Sequence, residues 1–394
     1  MRVLFASTRG AGHFSPLVPL ARACRRAGHE VLVAGPPALA PAVEAAGFAF
    51  WAVDDPPADA LAAVWSSVPS LPLEEQNRVV IGEVFGRLNA TATLAGHRRA
   101  CREWRADVVV RESSEYGSAL AAELEGIPHA RVGFGLASTE ELGLGIVAPV
   151  LDELRADLGL PPDPEARTLR EAPYFTWFPR ALEDTGVPVP DHTLRLRDPA
   201  WDATARPLAM RWPEADPRSP LVYVTFGSVA GSFPDAVRVF ATAMEALAQL
   251  PVRCLLTVGR ELDLATLPPA PPNVRVERWV PQDEVLPHAA AVVCHGGSGS
   301  TLGALAAGRP LVVVPLFADQ PYNARRVTAS GAGVAAGPEV AALRAAVTGV
   351  LEEPAFATAA ARIAGELRAQ EPPSTAIHAL AALVARHRSA RLAA

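Results

Sequence analysis

The sequence predicts two doubly wound α/β domains in tandem, on three observations. The chain has 394 residues, beyond the roughly 250 to 300 at which one hydrophobic core stops growing, and half of them are hydrophobic, enough for two cores. Short β-rich runs alternate with helical patterns in both halves, which implies βαβ units and a parallel sheet buried on both faces. Between the halves, residues 161–220 are rich in proline and poor in apolar periodicity, and read as a connector. The expected division is 1–205, a linker at 206–219, 220–374, and a C-terminal helix at 375–394 returning toward the first domain.

In the first half, Val3 to Ala6 reads as a strand, then a Gly-rich loop, then a helix from about Pro16 to Ala27, with proline near its start and Gly28 just past its end, as capping chemistry favours. Val31 to Ala34, Val108 to Val110 and Ala130 to Val132 are further strands. After the connector the pattern restarts. Leu221 to Thr225, Cys254 to Val258, Val274 to Glu277, Ala291 to Cys294 and Leu311 to Val314 read as strands, with helices near Pro234 to Leu250, Leu302 to Ala307 and Gln320 to Ala329 between them. Helices near 339–351, 354–370 and 374–388 close the chain. In open parallel sheets ligands sit beyond the carboxyl ends of strands, so the loops after Ala6, Val110, Thr225, Cys294 and Val314 are where chemistry belongs.

Composition removes whole classes of function. All 36 basic residues are arginine, so P-loop, protein-kinase and Schiff-base chemistry, each of which needs a lysine amine, is excluded. A net charge of −6, with no long basic run, argues against a nucleic-acid partner. Cys24, Cys101, Cys254 and Cys294 lie far apart in apolar surroundings and read as buried reduced thiols. No apolar run is long enough to span a membrane and no charged leader precedes one, so a cytoplasmic protein is expected.

Three segments carry the chemistry. The first is Arg278-Trp-Val-Pro-Gln282, followed by His295-Gly-Gly-Ser-Gly-Ser-Thr301 and Asp319-Gln320. Cys294 ends a strand and Leu302 enters a helix, so the amides of Gly299, Ser300 and Thr301 are expected at the positive end of a helix dipole, an anion site without formal charge that suits a diphosphate. A dinucleotide fingerprint is the rival reading, weakened because the spacing of Gly297, Gly299 and Gly303 is GxGxxxG rather than GxGxxG. The second segment is Ser7-Thr-Arg-Gly-Ala-Gly-His-Phe-Ser-Pro16, which places His13 at the mouth of the first sheet as a candidate general base. The third is Arg111-Glu-Ser-Ser-Glu-Tyr116, whose Glu112 or Glu115 can orient that imidazole; both could equally be acids complementing a helix N-terminus.

In this combination and order the residues resemble the inverting family 1 glycosyltransferases, especially the actinobacterial enzymes that decorate antibiotics. The resemblance implies a GT-B fold, two Rossmann-like doubly wound domains facing a central cleft, the first binding acceptor and the second a nucleotide sugar. It implies that Trp279 flanks the nucleobase with Val280 and Gln282 nearby. His295, Gly297, Ser298, Gly299, Ser300 and Thr301 would hold the diphosphate beside Gly227 and Ser228, and Asp319 and Gln320 the hexose hydroxyls. The plant-type loop differs, with Trp-Asn at Ser298-Gly299 and a ribose-binding Glu at Gly303. His13 matches the base of the family's Gly-His-x-x-Pro segment, and Glu112 stands where Asp is usual.

The expected reaction is a single displacement. His13 takes the acceptor's proton, Glu112 steadies the imidazolium, and the leaving diphosphate is stabilised by loop amides and His295. No DxD triplet occurs, so no metal and no cofactor is expected. The favoured donor is a dTDP deoxyhexose, with UDP-hexose second. The acceptor region, Pro56 to Asn89 and Gly133 to Pro149, reads as apolar and irregular, with Phe14, Trp65, Phe85, Glu115 and Phe134 as candidate contacts for a hydrophobic hydroxylated small molecule. A nucleotide-sugar epimerase of the same fold and a non-catalytic auxiliary protein are the competing readings. Monomer and homodimer both stay open.

Overall fold

A computed structural model describes the chain except residues 188, 203–207, 209, 211, 213, 214, 228–230, 232–235 and 394. Ser228 and much of the expected 206–219 linker therefore lie outside the described residues. The chain forms two compact units: Met1–Trp177 with Asp184–Asp198 and Glu371–Ala394, and Phe178–Glu183 with Pro199–Gln370.

The first unit is built on seven parallel strands: β1 (Arg2–Ala6), β2 (Glu30–Gly35), β3 (Ala49–Ala52), β4 (Val108–Glu112), β5 (His129–Val132), β6 (Tyr174–Thr176) and β7 (Thr193–Arg195). Their order is β3-β2-β1-β4-β5-β6-β7. Val3, Leu4 and Phe5 of β1 are wholly buried, because helices cover both faces of a parallel sheet; each such side chain contributes about 1.5–3 kcal/mol. The second unit has six parallel strands, β8 (Leu221–Thr225), β9 (Arg253–Thr257), β10 (Val274–Glu277), β11 (Ala289–Cys294), β12 (Leu311–Val313) and β13 (Gly333–Ala335), ordered β10-β9-β8-β11-β12-β13. In both sheets the first strand pairs with the second on one side and the fourth on the other. Strand order reverses there, and the loops leaving the two central strands part to open a crevice. In the first unit this puts the segments after Ala6 and Arg111 side by side, since those residues are register partners. In the second it does the same for the segments after Thr225 and Cys294.

Several expectations need correction. The stretch read as connector supplies β6 and β7, strands of three residues each, too short to display a period of two. The regions read as irregular are mostly helical: Ala58–Ser67, Leu73–Val79, a π-helical stretch Val80–Asn89, and Ala137–Asp157 with Pro149 inside it. In the last of these, burial of Leu144, Val147, Ala148 and Leu151 outweighs the weak helix propensity of Gly143, Gly145 and Pro149. The C-terminal helix Pro373–Ala393 lies in the first unit, packed on the helix Val18–Arg26, with His387 Nε2 2.8 Å from the Gly126 carbonyl.

The four cysteines are buried and unpaired. Burial pushes Cys24 and Cys101 up to about 12 and Cys294 to about 11, so these thiols are unreactive. Among the described residues, no helix is long and apolar enough to cross a membrane.

Candidate active site

The crevice of the first unit is organised by a carboxylate. Beyond β1, Gly10, at φ 107°, turns the chain into a single helical turn, Ala11–Phe14. His13 thus stands on a hydrogen-bonded turn rather than in an extended loop, its amide on the Gly10 carbonyl at 3.2 Å. Its Nδ1 lies 3.2 Å from Oε1 of Glu112, the last residue of β4, whose side chain is fully buried. Glu112 is fixed by three hydrogen-bond donors: the Thr8 hydroxyl at 2.8 Å, the Thr8 amide at 3.3 Å and the Ser114 amide at 2.7 Å. Phe85 and Phe134 flank the imidazole, with ring centroids 5.2 and 4.7 Å away. A carboxylate on Nδ1 selects the tautomer in which Nε2 is the proton acceptor.

Glu115 is engaged elsewhere. It accepts from Thr93 Oγ1 at 3.0 Å and the Ser118 amide at 2.7 Å, and lies 3.1 Å from His97 Nε2. Burial alone would raise its carboxyl, but the charge and hydrogen bond of His97, with the hydrogen bonds of Ser118, hold it at about 2. The structure therefore brings Glu112, and not Glu115, to His13. Phe14 is 4% exposed and packs inward, whereas Trp65 is 47% exposed on a helix that buries none of its residues. Thr8, Ser114 and His97 escape sequence reasoning. Their only signal is polarity beside the ends of β1 and β4 or within a helix.

In the second unit the helix after β11 begins at Ser298, four residues earlier than expected. Gly-Ser-Gly-Ser reads as loop, yet Gly297 caps the helix and the Thr301 amide already closes a turn on the Gly297 carbonyl at 3.0 Å. The outward amides are consequently those of Ser298, Gly299 and Ser300, which have no intrahelical acceptor. Thr301 is 1% exposed, its side chain buried in the unit. His295 is wedged between two glycines: a Cβ on Gly227 would lie 2.8 Å from its Cε1, and one on Gly297 2.3 Å from its Nε2. Burial pushes its imidazole down to about 4, the Thr225 backbone pulling the other way, so it is neutral at pH 7.

Around this helix start, Asp319 Oδ2 accepts from Ser298 Oγ at 3.3 Å and Asn323 Nδ2 at 3.0 Å. Asn323 also donates to the Gly296 carbonyl at 2.8 Å. It braces the loop from one helical turn beyond Asp319, a spacing that could have flagged it. Gln320 is 3% exposed; its Oε1 accepts the Leu316 and Phe317 amides at 2.8 and 3.0 Å, which leaves only its amide nitrogen for a ligand. Gln282 donates to Ser300 Oγ at 3.3 Å, and a Cβ on Gly303 would sit 3.1 Å from its Oε1, so Gln282 fills the space where a plant-type Glu would stand. Val280 is buried, whereas Trp279 is 51% exposed, one face covered by the Arg260 guanidinium at 4.3 Å.

Two buried imidazoles set an acid limit on stability. His129 is pushed down to about 3 by burial and then by the charges of Arg111 and Arg131; His295 is at about 4. In the unfolded chain each titrates near 6.5. Below that value the unfolded state binds more protons, so their contribution is complete above pH 6.5 and is lost as pH falls toward 4 and 3. Glu140, raised by burial, works in the opposite sense in this window. The urea midpoint is expected to be lower at pH 5 than at pH 7.5; an unchanged midpoint would mean that the imidazoles are not held neutral.

Among the described residues no group of three His, Cys, Asp or Glu is disposed to hold a metal ion. Comparison with known proteins matches this arrangement to one family. Residues 22–158 match the model of the N-terminal domain of erythromycin biosynthesis protein CIII-like proteins, and residues 241–383 that of the C-terminal domain. The elloramycin glycosyltransferase ElmGT of Streptomyces olivaceus is 34% identical, over 95% of each chain. The glycosyltransferase SnogD of Streptomyces nogalater superposes with a TM-score of 0.76 at 26% identity, over 98% of this chain and 99% of its own. VinC, solved in complex with dTDP, superposes at 0.74 with 26% identity, over 98% of this chain and 100% of its own. With its two Rossmann-like sheets and the likeness running through nearly all of its length, the chain belongs to the erythromycin biosynthesis protein CIII-like family and is a GT-B glycosyltransferase of the actinobacterial natural-product type.

Proposed function

We propose that the protein transfers a deoxyhexose from dTDP to a hydroxyl of an apolar natural product, inverting the anomeric carbon and using no protein-held metal. The observation that carries this reading is the His13–Glu112 pair. A buried carboxylate, held by Thr8 and Ser114 and lying on Nδ1, makes Nε2 a base. The acceptor oxygen gives its proton to Nε2 as it bonds to the anomeric carbon, and the bond from that carbon to the diphosphate oxygen breaks with its electron pair leaving on phosphate. A single displacement inverts the anomeric carbon, and the one carboxylate beside His13, Glu112, is fully buried and engaged by Thr8 and Ser114. Phe85 and Phe134 supply an apolar wall for the acceptor.

The second unit supports the donor half. Amides at the start of the helix Ser298–Ala306, with the neutral donor of His295, suit a diphosphate, and the half-exposed Trp279 suits stacking on a base. dTDP is favoured over UDP because VinC was solved with dTDP.

The test is a transfer assay with dTDP- and UDP-hexoses against a panel of polycyclic and macrocyclic alcohols, read by mass spectrometry, with the anomeric coupling constant of the product measured by NMR. Inverted product from the dTDP donor, unaffected by EDTA, is expected. Retained configuration or loss of turnover in EDTA would overturn the mechanism. Isomerisation of the donor without acceptor would mark an epimerase, and nucleotide binding without transfer an auxiliary protein.

A further inference from the structure

His13 is held from one side by Glu112 and flanked on others by Phe85 and Phe134. The backbone turn that carries Phe134 has its own anchor. Glu140, in the first turn of the helix Ala137–Asp157, is 9% exposed. Its Oε1 accepts two backbone amides, Phe134 at 3.2 Å and Gly135 at 3.3 Å, and its Oε2 lies 3.9 Å from Nη1 of Arg131. Arg131 is itself locked on β5, its guanidinium 4.3 Å over the ring of Tyr174. The Gly133 amide bonds the Phe175 carbonyl at 2.8 Å, and a Cβ on Gly133 would meet the Tyr174 hydroxyl at 2.4 Å, so the turn is seated hard against β6 at its start. Its next two amides depend on a single carboxylate oxygen. The Phe134 ring then stands edge-on to the imidazole, 4.7 Å between centroids, a contact worth having in its own right and a barrier to ring rotation.

From this chain of contacts we infer that Glu140 is a positioning residue for the His13–Glu112 pair, acting through Phe134. The inference rests on the reading of His13 as the base. It goes beyond a capping role for Glu140, which would stabilise the helix through its dipole without regard to what Phe134 touches. Glu140 and Glu112 also act on each other through their charges, so the part carried by the turn is the part that an uncharged side chain keeping the two amide contacts restores. Charge-assisted bonds to backbone amides are among the stronger ones in a protein, and here two share one acceptor, so truncation releases both amides at once. An amide side chain keeps that acceptor, since its Oε1 can receive the same two backbone amides.

The experiment compares Glu140→Ala, Glu140→Asp and Glu140→Gln in the full chain, with Phe134→Ala and the double variant E140A/F134A. Glu140→Ala is expected to lower kcat about tenfold, with dTDP affinity unchanged by calorimetry and the His13 imidazole titration, followed by NMR, moved to lower pH as its carboxylate contact loosens. Glu140→Gln should recover most of the loss. Glu140→Asp, one methylene short of both amides, should behave like alanine and serves if the alanine variant does not fold. The double variant should be no worse than Phe134→Ala alone, since both act on one contact. A fall in unfolding midpoint without any change in kcat or in the His13 titration would reduce Glu140 to a helix cap and overturn the inference, as would additive losses in the double variant. Failure of the underlying reading looks different: His13→Ala would keep full turnover while Glu140→Ala still moved the titration of His13.

Discussion

His13→Ala is expected to lower kcat by about 10²- to 10⁴-fold and to leave dTDP affinity within about twofold of the parent, since the two changes concern independent sites. The size follows from what the imidazole is asked to do. An alcohol attacking an anomeric carbon is a poor nucleophile unless its proton departs as the bond forms, and the proposed acceptor of that proton is Nε2 of a ring whose Nδ1 is 3.2 Å from a buried carboxylate. Alanine removes the base and leaves Glu112 buried with its proton-bearing partner gone. The direction of the pH profile is a second readout. In the parent, the acidic limb of kcat should report His13, and in the alanine variant the residual rate should rise with hydroxide instead. Turnover within about threefold of the parent would refute the assignment, because no general base acts so weakly. Glu112→Gln separates the roles further: it keeps the shape and an acceptor but gives up the charge that stabilises an imidazolium, so it should fall between the parent and His13→Ala.

What the sequence made legible, and what it did not, divides along physical lines. Strands buried on both faces announce themselves as unbroken apolar runs, which is why β1, β8 and β11 are found within a residue or two of their ends. Edge strands such as β7, whose three residues are all half-buried, carry no such run. His13 and Glu112 were both visible as polar residues in the segments at the carboxyl ends of strands, but the choice between Glu112 and Glu115 turns on His97, a residue of the helix Ala90–Glu103 that sequence spacing cannot bring to the loop. Only the packing of that helix against Gly117–Leu124 does so. The same limit explains Thr301. Its place in the motif suggests a ligand contact, while the observed helix start at Ser298 rotates its side chain inward and spends its amide on Gly297. A four-residue error in where a helix begins changes which groups face a ligand.

Gly297→Ala is expected to cost about 10²-fold in kcat, the loss typical of removing one preorganised donor to a developing anion. The backbone itself would accept alanine, since Gly297 sits at φ −62° and ψ 142°, a conformation open to any residue. The obstacle is His295. A Cβ at Gly297 would stand 2.3 Å from its Nε2 and 2.8 Å from its Cε1, well inside contact distance, and Gly227, at φ 82°, approaches the same two ring atoms. The ring must leave its observed plane, or the loop must shift and carry the amides of Ser298, Gly299 and Ser300 with it. These two consequences separate in a cycle with His295→Ala. If the ring alone is displaced, the double variant G297A/H295A should be no slower than H295A, because the small side chain at 295 leaves room for the new methyl group. If the loop shifts, the losses should approach additivity, near 10⁴-fold, and the calorimetric affinity for dTDP should fall in the double variant as well. The first outcome is the expected one. Gly297 is then explained by the volume of an imidazole rather than by a need for flexible backbone, whereas Gly227, at φ 82°, is required by its backbone conformation as well.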